Sequence, residues 1–223
     1  MSVSEDRTVQ PTVAPAPVSG IADPAPLGLA AFALTTFLLS TKNAGWATHA
    51  TGSAWLGYAF AYGGLGQLLA GMWEFRNRNV FGATAFTTYG GFWLGLGLWV
   101  LLVANPAVAA VKPSTLATTV TSLNHDLGWI LLVFAIFNTY MLILSTQVNV
   151  AVFAVFLTLE LTEIILCIGN FTAGAALLPT GTIKFGGYVG LITALAAWYT
   201  SAALASRGMA GKLKFPVGGP LIS

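Results

Sequence analysis

Charge is what this sequence has least of. Aspartate, glutamate, lysine and arginine supply 7% of its 223 residues, against the roughly 25% of an ordinary soluble domain, so a water-facing surface around a single core cannot be built from it. Cysteine is nearly absent too. Cys167 is the one example, which excludes a disulfide framework, and neither it nor His49 or His125 stands in metal-ligand spacing. The nine lysines and arginines are scattered and the formal net charge is +2, so there is no basic patch for a nucleic acid. No nucleophile and base pair, metal cluster or cofactor motif stands out, which argues against an enzyme.

What is abundant is apolar: 56% of the residues are hydrophobic and the mean hydropathy is +0.79. That composition belongs in lipid, and the chain reads as an all-α, polytopic integral membrane protein. Spanning a hydrocarbon core about 30 Å thick takes about 20 apolar residues per helix. Six runs qualify, at 27–40, 55–73, 81–104, 127–144, 148–168 and 185–204. The first is short, but Asp23 followed by Pro24 supplies an N-cap and a proline at the first helical position, which extends it.

Residues 1–22 are rich in Pro, Ala, Ser and Val and lack the apolar core of a signal peptide, so they read as a flexible, retained N-terminal tail. Residues 23–206 form the transmembrane domain, and 207–223 a short, solvated Gly/Pro-containing tail. Six helices put both termini on one side. With the N-terminus cytoplasmic, Arg7, Arg76, Arg78, Arg207, Lys212 and Lys214 lie inside and Lys42, Lys112 and Lys184 outside, as the positive-inside rule requires. The segment 170–181 is small and apolar but broken by Gly174, Pro179 and Gly181, which marks a membrane-dipping loop covered by protein or water. Internal repeats are faint: Phe81-Gly82 and Phe185-Gly186 each open a helix, three spans apart.

No lysine or arginine falls inside any of the six runs, so a buried anion would meet only neutral donors, helix N-termini or a proton of its own. Neutral donors fall into groups. Gly63, Gln67, Ala70 and Glu74 share one helix face, which lines a path or lets Gln67 bond a neighbouring helix. Thr35 and Thr36 in the first run, and Thr84, Thr87, Thr88 and Tyr89 in the third, offer hydroxyls that the backbone one turn earlier can also satisfy. Glu160 and Glu163 sit mid-span at i and i+3, where an ionised carboxylate costs a few kcal/mol. They form either a proton relay or a hydrogen-bonded helix interface. Gly91/Gly95 and Gly186/Gly190 have the close-packing spacing of G-x-x-x-G. Asn170 is a helix C-cap or an amide presented to the path, and His125, between Asn124 and Asp126, sits in what reads as a capping segment.

Four ordered stretches carry a family resemblance. DPAPLGLAAF from Asp23, with its core Asp23, Pro24, Ala25, Pro26, Leu27, Gly28 and Leu29, resembles the Asn-Pro-Ala-Pro-Leu-Gly-Leu signature of the acetate uptake transporter family, which includes bacterial succinate–acetate permeases. AYGGLGQLLAGMWEF from Ala61, FGATAFTTYGGFW from Phe81 and IGN ending at Asn170 follow in order. The resemblance implies a six-helix protomer in a homo-oligomer, a hexamer, in a bacterial inner membrane, surrounded by lipid and carrying acetate or a similar small carboxylate, succinate included, with a proton. By motif position it implies an entrance at the Asp23 motif, near Thr36, and a narrow girdle of Phe32, Tyr89 and Leu159, with Thr35 or Thr36, Gln67 and Asn170 as polar contacts. Asp23 departs from the signature Asn, and Glu160 and Glu163 stand where the family is largely apolar; these two are the expected relay. A passive channel of the same fold and a non-transporting membrane sensor are the rival readings.

Overall fold

The structure, a computed structural model, describes residues 20–47 and 53–222; the expectations for residues 1–19 and for His49 lie outside the described residues. Six long helices account for the membrane domain. They are α1 (Ala25–Asn43), α2 (residues 54–76), α3 (Val80–Ala110), α4 (Leu116–Ser145), α5 (Val150–Thr172) and α6 (Gly181–Gly208). Five are apolar and long enough to cross a membrane. The remaining one, α2, runs without a break but changes winding: Ala54–Phe60 and Gln67–Arg76 are α-helical and Ala61–Gly66 between them is π-helical. Among the described residues there is no strand.

The starts of these helices are written into local sequence. Asn79 caps α3 by accepting from Gly82 N–H at 3.0 Å, Asn149 caps α5 through Val152 N–H at 2.9 Å, and Thr180 caps α6 through Ile183 N–H at 3.4 Å. At α1 the Asp23 carboxylate accepts from Ala25 N–H at 2.9 Å, one residue out of register with the expected cap, because the helix begins at Ala25 and not at Pro24. In α3 a second π-helical stretch, Val100–Ala104, precedes Pro106. Proline cannot donate to the carbonyl four residues back and collides with it, and the wider winding upstream relieves that conflict.

The stretch between the third and fourth apolar runs, 105–126, turns out to be largely helical. Helix α3 continues to Ala110 and α4 begins at Leu116, after a 3₁₀ turn at Pro113–Thr115, so the connection shrinks to Val111 and Lys112. Asn124, His125 and Asp126 therefore sit inside α4, where Asn124 Nδ2 donates to the carbonyls of Gly174 (2.9 Å) and Ala176 (3.3 Å) and pins the 173–180 loop. That loop carries Gly174 at φ +58°. The helices extend past the apolar runs because their polar ends no longer need to lie in hydrocarbon.

Helix α1 packs chiefly on α6, α5 on α6, α4 on α5 and α2 on α3. Ser201 Oγ donates to Pro26 O at 2.6 Å, so the end of α6 lies beside the start of α1. Both ends of the bundle thus share one face. Outward-facing positions are apolar: Trp129, Val133, Ile136, Tyr140 and Ile143 form an exposed stripe on α4, the inversion of a soluble helix that lipid permits. The two G-x-x-x-G pairs differ. A Cβ on Gly186 or Gly190 would meet Leu166 or Ser40, whereas Gly91 and Gly95 have nothing within 4 Å and open outward.

The C-terminal tail, expected to be solvated, is docked. Gly219 O and Val217 O accept the N–H groups of Val150 (3.2 Å) and Ala151 (2.9 Å), the first two of α5, and Leu221 N–H donates to Thr146 O at 2.7 Å. Together with Asn149 these carbonyls satisfy the free N–H groups that every helix start leaves over. Val217 is buried, and Gly218, at φ +71°, makes the turn against Val150.

Candidate functional site

Four cavities run in file through the bundle, joined by shared side chains. The widest, about 250 Å³, opens at the end of α1 and α5 and is lined by Lys42, Asn43, Asn105, Asn124 and Asn170 together with apolar groups of α3 and α4. It shares Leu39, Asn43, Phe92, Leu131 and Leu166 with a cavity of about 50 Å³ deeper between α1 and α5. Toward the opposite face, a cavity of about 20 Å³ reaches Gln67, and shares Leu29, Ala85, Phe86 and Phe156 with one of about 160 Å³ at Asp23, Asn79 and Asn149.

The side chains common to the two central cavities are Phe32, Tyr89 and Leu159. All three are buried, one each from α1, α3 and α5, and the Phe32 and Tyr89 rings meet edge to face with centroids 5.8 Å apart. Three residues brought together by motif position therefore converge in space at the junction of the two central cavities. Phe92, Phe134 and Phe137 back Tyr89.

Of the polar residues, Thr36 lines the cavity on one side of this constriction and Gln67 the other, and Asn170 lines the wide mouth. Thr36 Oγ1 and Gln67 Oε1 are buried without a hydrogen-bond partner among the described residues. Thr35 faces elsewhere. Its hydroxyl lies 3.1 Å from Ala31 O and its side chain fills the crossing with α2, where a Cβ on Gly63 would meet Thr35 Oγ1 at 2.5 Å. Adjacent helical residues point about 100° apart, and that angle separates the pair. Asn170 is not a C-cap, since α5 continues to Thr172; its Nδ2 donates to Leu166 O at 2.8 Å. In the signature, Asp23, Ala25 and Leu29 line the outermost cavity, Gly28 packs on Phe86, and Leu27 is exposed.

The two acids of α5 separate likewise. Glu160 lines none of the four cavities and faces α4, with Oε2 2.7 Å from Asn138 Nδ2 and Oε1 2.8 Å from Thr139 Oγ1. Glu163 lines the 50 Å³ cavity. Its Oε1 is 3.2 Å from the Tyr89 hydroxyl and its Oε2 has no partner among the described residues. Between them sits Asn138, fully buried, 3.0 Å from the Tyr89 hydroxyl through Oδ1 and from Phe156 O through Nδ2. Sequence reading missed Asn138. The available signal was a lone carboxamide inside an apolar span, where a polar group needs a partner.

These features define a polytopic, all-α integral membrane protein with a cavity series through the protomer interrupted by one apolar and aromatic constriction. Residues 6–216 match the GPR1/FUN34/yaaH family, and the chain belongs to it. It is 39% identical over 201 residues to ammonia transport outward protein 2 of Saccharomyces cerevisiae, a match covering 90% of this chain and 67% of that protein. It is 42% identical over 190 residues to acetate permease A of Emericella nidulans, covering 82% and 61%. With the succinate-acetate/proton symporter SatP of Escherichia coli it shares 33% identity over 198 residues, covering 89% and 96%. The chain thus spans about two thirds or less of these fungal relatives and nearly all of the bacterial one. The solved structure of the bacterial acetate channel SatP superposes with a TM-score of 0.74 at 31% identity, covering 89% of this chain and 99% of that one. These relatives are named as transport proteins, permeases and channels, not as enzymes.

Proposed function

We propose that this chain is a permease for acetate and similar small carboxylates such as succinate, carrying one proton with each monocarboxylate. The supporting observation is that the cavities on the two sides of the protomer share only Phe32, Tyr89 and Leu159 at their junction. Cargo enters a mouth where Lys42 and Asn170 provide polar contact, and meets Thr36 before the constriction and Gln67 beyond it. Past Lys42 the lining holds no cation. A carboxylate that loses water without gaining a counter-charge has its protonated form favoured, and acetic acid crosses the apolar girdle at lower cost than acetate. Glu163, on the cavity, is the relay candidate, with Glu160 its structural partner.

The protomer works within a homo-oligomer, a hexamer, in a bacterial inner membrane, with residues 1–22 and 207–223 cytoplasmic around the transport domain 23–206. The outward-opening Gly91/Gly95 face supports such assembly. The test is labelled acetate uptake into proteoliposomes with and without an inward proton gradient. Accumulation that follows the gradient supports symport. Equal rates with and without it favour the second reading, a passive acetate channel, which the likeness to the solved bacterial acetate channel SatP supports.

A further inference from the structure

The hydrogen bonds around Tyr89 fix where the protons are. A backbone carbonyl only accepts, so the Asn138 amide must turn its nitrogen to Phe156 O (3.0 Å), and the same nitrogen reaches Glu160 Oε2 (2.7 Å). That orientation leaves Asn138 Oδ1 facing the Tyr89 hydroxyl at 3.0 Å. An amide oxygen has no proton to give, so Tyr89 donates its single proton there. The Tyr89 oxygen then has only lone pairs left for Glu163 Oε1, 3.2 Å away. With the phenol proton on Asn138, the hydrogen in that contact comes from a protonated Glu163.

A protonated Glu163, with its proton on Oε1, keeps both contacts of the Tyr89 hydroxyl and leaves Oε2 as a carbonyl oxygen that can only accept. Oε2 has no partner, and Glu163 is 3% exposed. Thr36, 6% exposed, lines the same cavity with an equally unpartnered Oγ1. Buried polar atoms without partners are rare and costly. At about 10–15 Å³ of cavity per water-sized group, the 50 Å³ enclosed here suits a molecule of about four non-hydrogen atoms. The titratable groups facing Glu163 are Tyr89 of α3 and Glu160 of its own helix; α1 presents Thr36, α4 Asn138, and α6 sets Thr193 against Thr162. Lys42 stands at the outer mouth.

Resting on the transport reading above, we propose that this cavity binds the undissociated acid, whose O–H donates to Glu163 Oε2 while its carbonyl oxygen accepts from the Thr36 hydroxyl. A carboxylate anion offers two acceptors and would set one of them against the Glu163 carbonyl oxygen. The proton that accompanies each cargo molecule is then the cargo's own, carried on its carboxyl, and Glu163 serves as its hydrogen-bond partner in place of a relay.

Acetamide tests this, because it presents an N–H donor and a C=O acceptor at every working pH, whereas trifluoroacetate stays ionised. In proteoliposomes corrected for leak into protein-free vesicles, acetamide should inhibit labelled acetate uptake, and trifluoroacetate should compete about tenfold less well, the loss of one buried hydrogen bond. Inhibition by acetamide should weaken about tenfold in Glu163→Leu and in Thr36→Val. Glu163→Gln should restore it relative to Leu, because its amide can donate to Tyr89 and turn its carbonyl to the cavity. Competition by trifluoroacetate at or above that of acetamide overturns the proposal. So does acetamide inhibition unchanged in Thr36→Val, a reading that survives if Glu163→Leu does not fold. Trp93 lines the cavity, so its fluorescence in the solubilised chain reports acetamide binding without transport. Acetamide-dependent quenching lost in Thr36→Val, with no acetate uptake by the wild type, sinks the transport reading and keeps the site. Uptake indifferent to acetamide sinks the site alone.

Discussion

Replacing Asn138 by Leu should destabilise this bundle more than any comparable change on the same helix face. Three hydrogen bonds go with the amide: from Tyr89 OH (3.0 Å), to Phe156 O (3.0 Å) and to Glu160 Oε2 (2.7 Å). Their loss is unequal. Phe156 O lies within α5 and keeps its helical partner, and Glu160 retains Thr139 at 2.8 Å, whereas Tyr89 is left with Glu163 alone. Interhelical hydrogen bonds in membranes average about 0.6 kcal/mol, with a ceiling near 1.7, so three together amount to about 2 kcal/mol. Orphaning the buried Glu160 oxygen and Tyr89 hydroxyl pushes the loss above that figure, because unpaired buried polar atoms are costly. We expect a loss of about 2–4 kcal/mol in equilibrium unfolding from mixed micelles. Asn138→Gln, which keeps the amide but displaces it, should fall between Leu and wild type. A change in Asn138→Leu below about 0.5 kcal/mol would refute the reasoning, because the buried partners would then not depend on the amide.

Leu159→Ala opens the constriction. One methylene in an apolar pocket is worth roughly 10–200-fold in discrimination, so the butyrate-to-acetate uptake ratio should rise at least about tenfold; an unchanged ratio removes Leu159 from the girdle. Gly63→Ala drives a methyl into Thr35 at the α1–α2 crossing and should cost about 1–3 kcal/mol, recovered in part by Thr35→Ala, as a double-mutant cycle in thermal denaturation would read. Removing residues 212–223 uncaps Val150 and Ala151, worth about 0.5–2 kcal/mol per cap, and should lower thermal stability while leaving uptake per folded molecule in place. Loss of uptake without loss of stability would give the tail a functional role instead.

The six spans were legible because charge is scarce and apolar runs of spanning length are a strong signal. Their ends were not, since Asn105–Ala110 and the stretch from Leu116 to Asp126 look like loop by polarity yet remain helical. The grouping of Phe32, Tyr89 and Leu159 came from motif order, and the three side chains meet because each points into the space between α1, α3 and α5. Spacing could show that Glu160 and Glu163 share a face. It could not show that one meets Asn138 and the other a cavity, because that is decided by which helix lies alongside. Thr35 and Thr36 pose the same difficulty. The docking of the tail was invisible for another reason: it is made by backbone carbonyls of Val217 and Gly219, which carry no side-chain signature.

The central claim is that cargo passes through each protomer between α1, α3 and α5. Labelled acetate uptake into proteoliposomes by Leu159→Trp, whose indole would fill the small cavities on either side of position 159, tests it most directly. The account predicts that this variant, eluting at the wild-type size in detergent, carries acetate no faster than protein-free vesicles leak it. Uptake at the wild-type rate would place the route elsewhere.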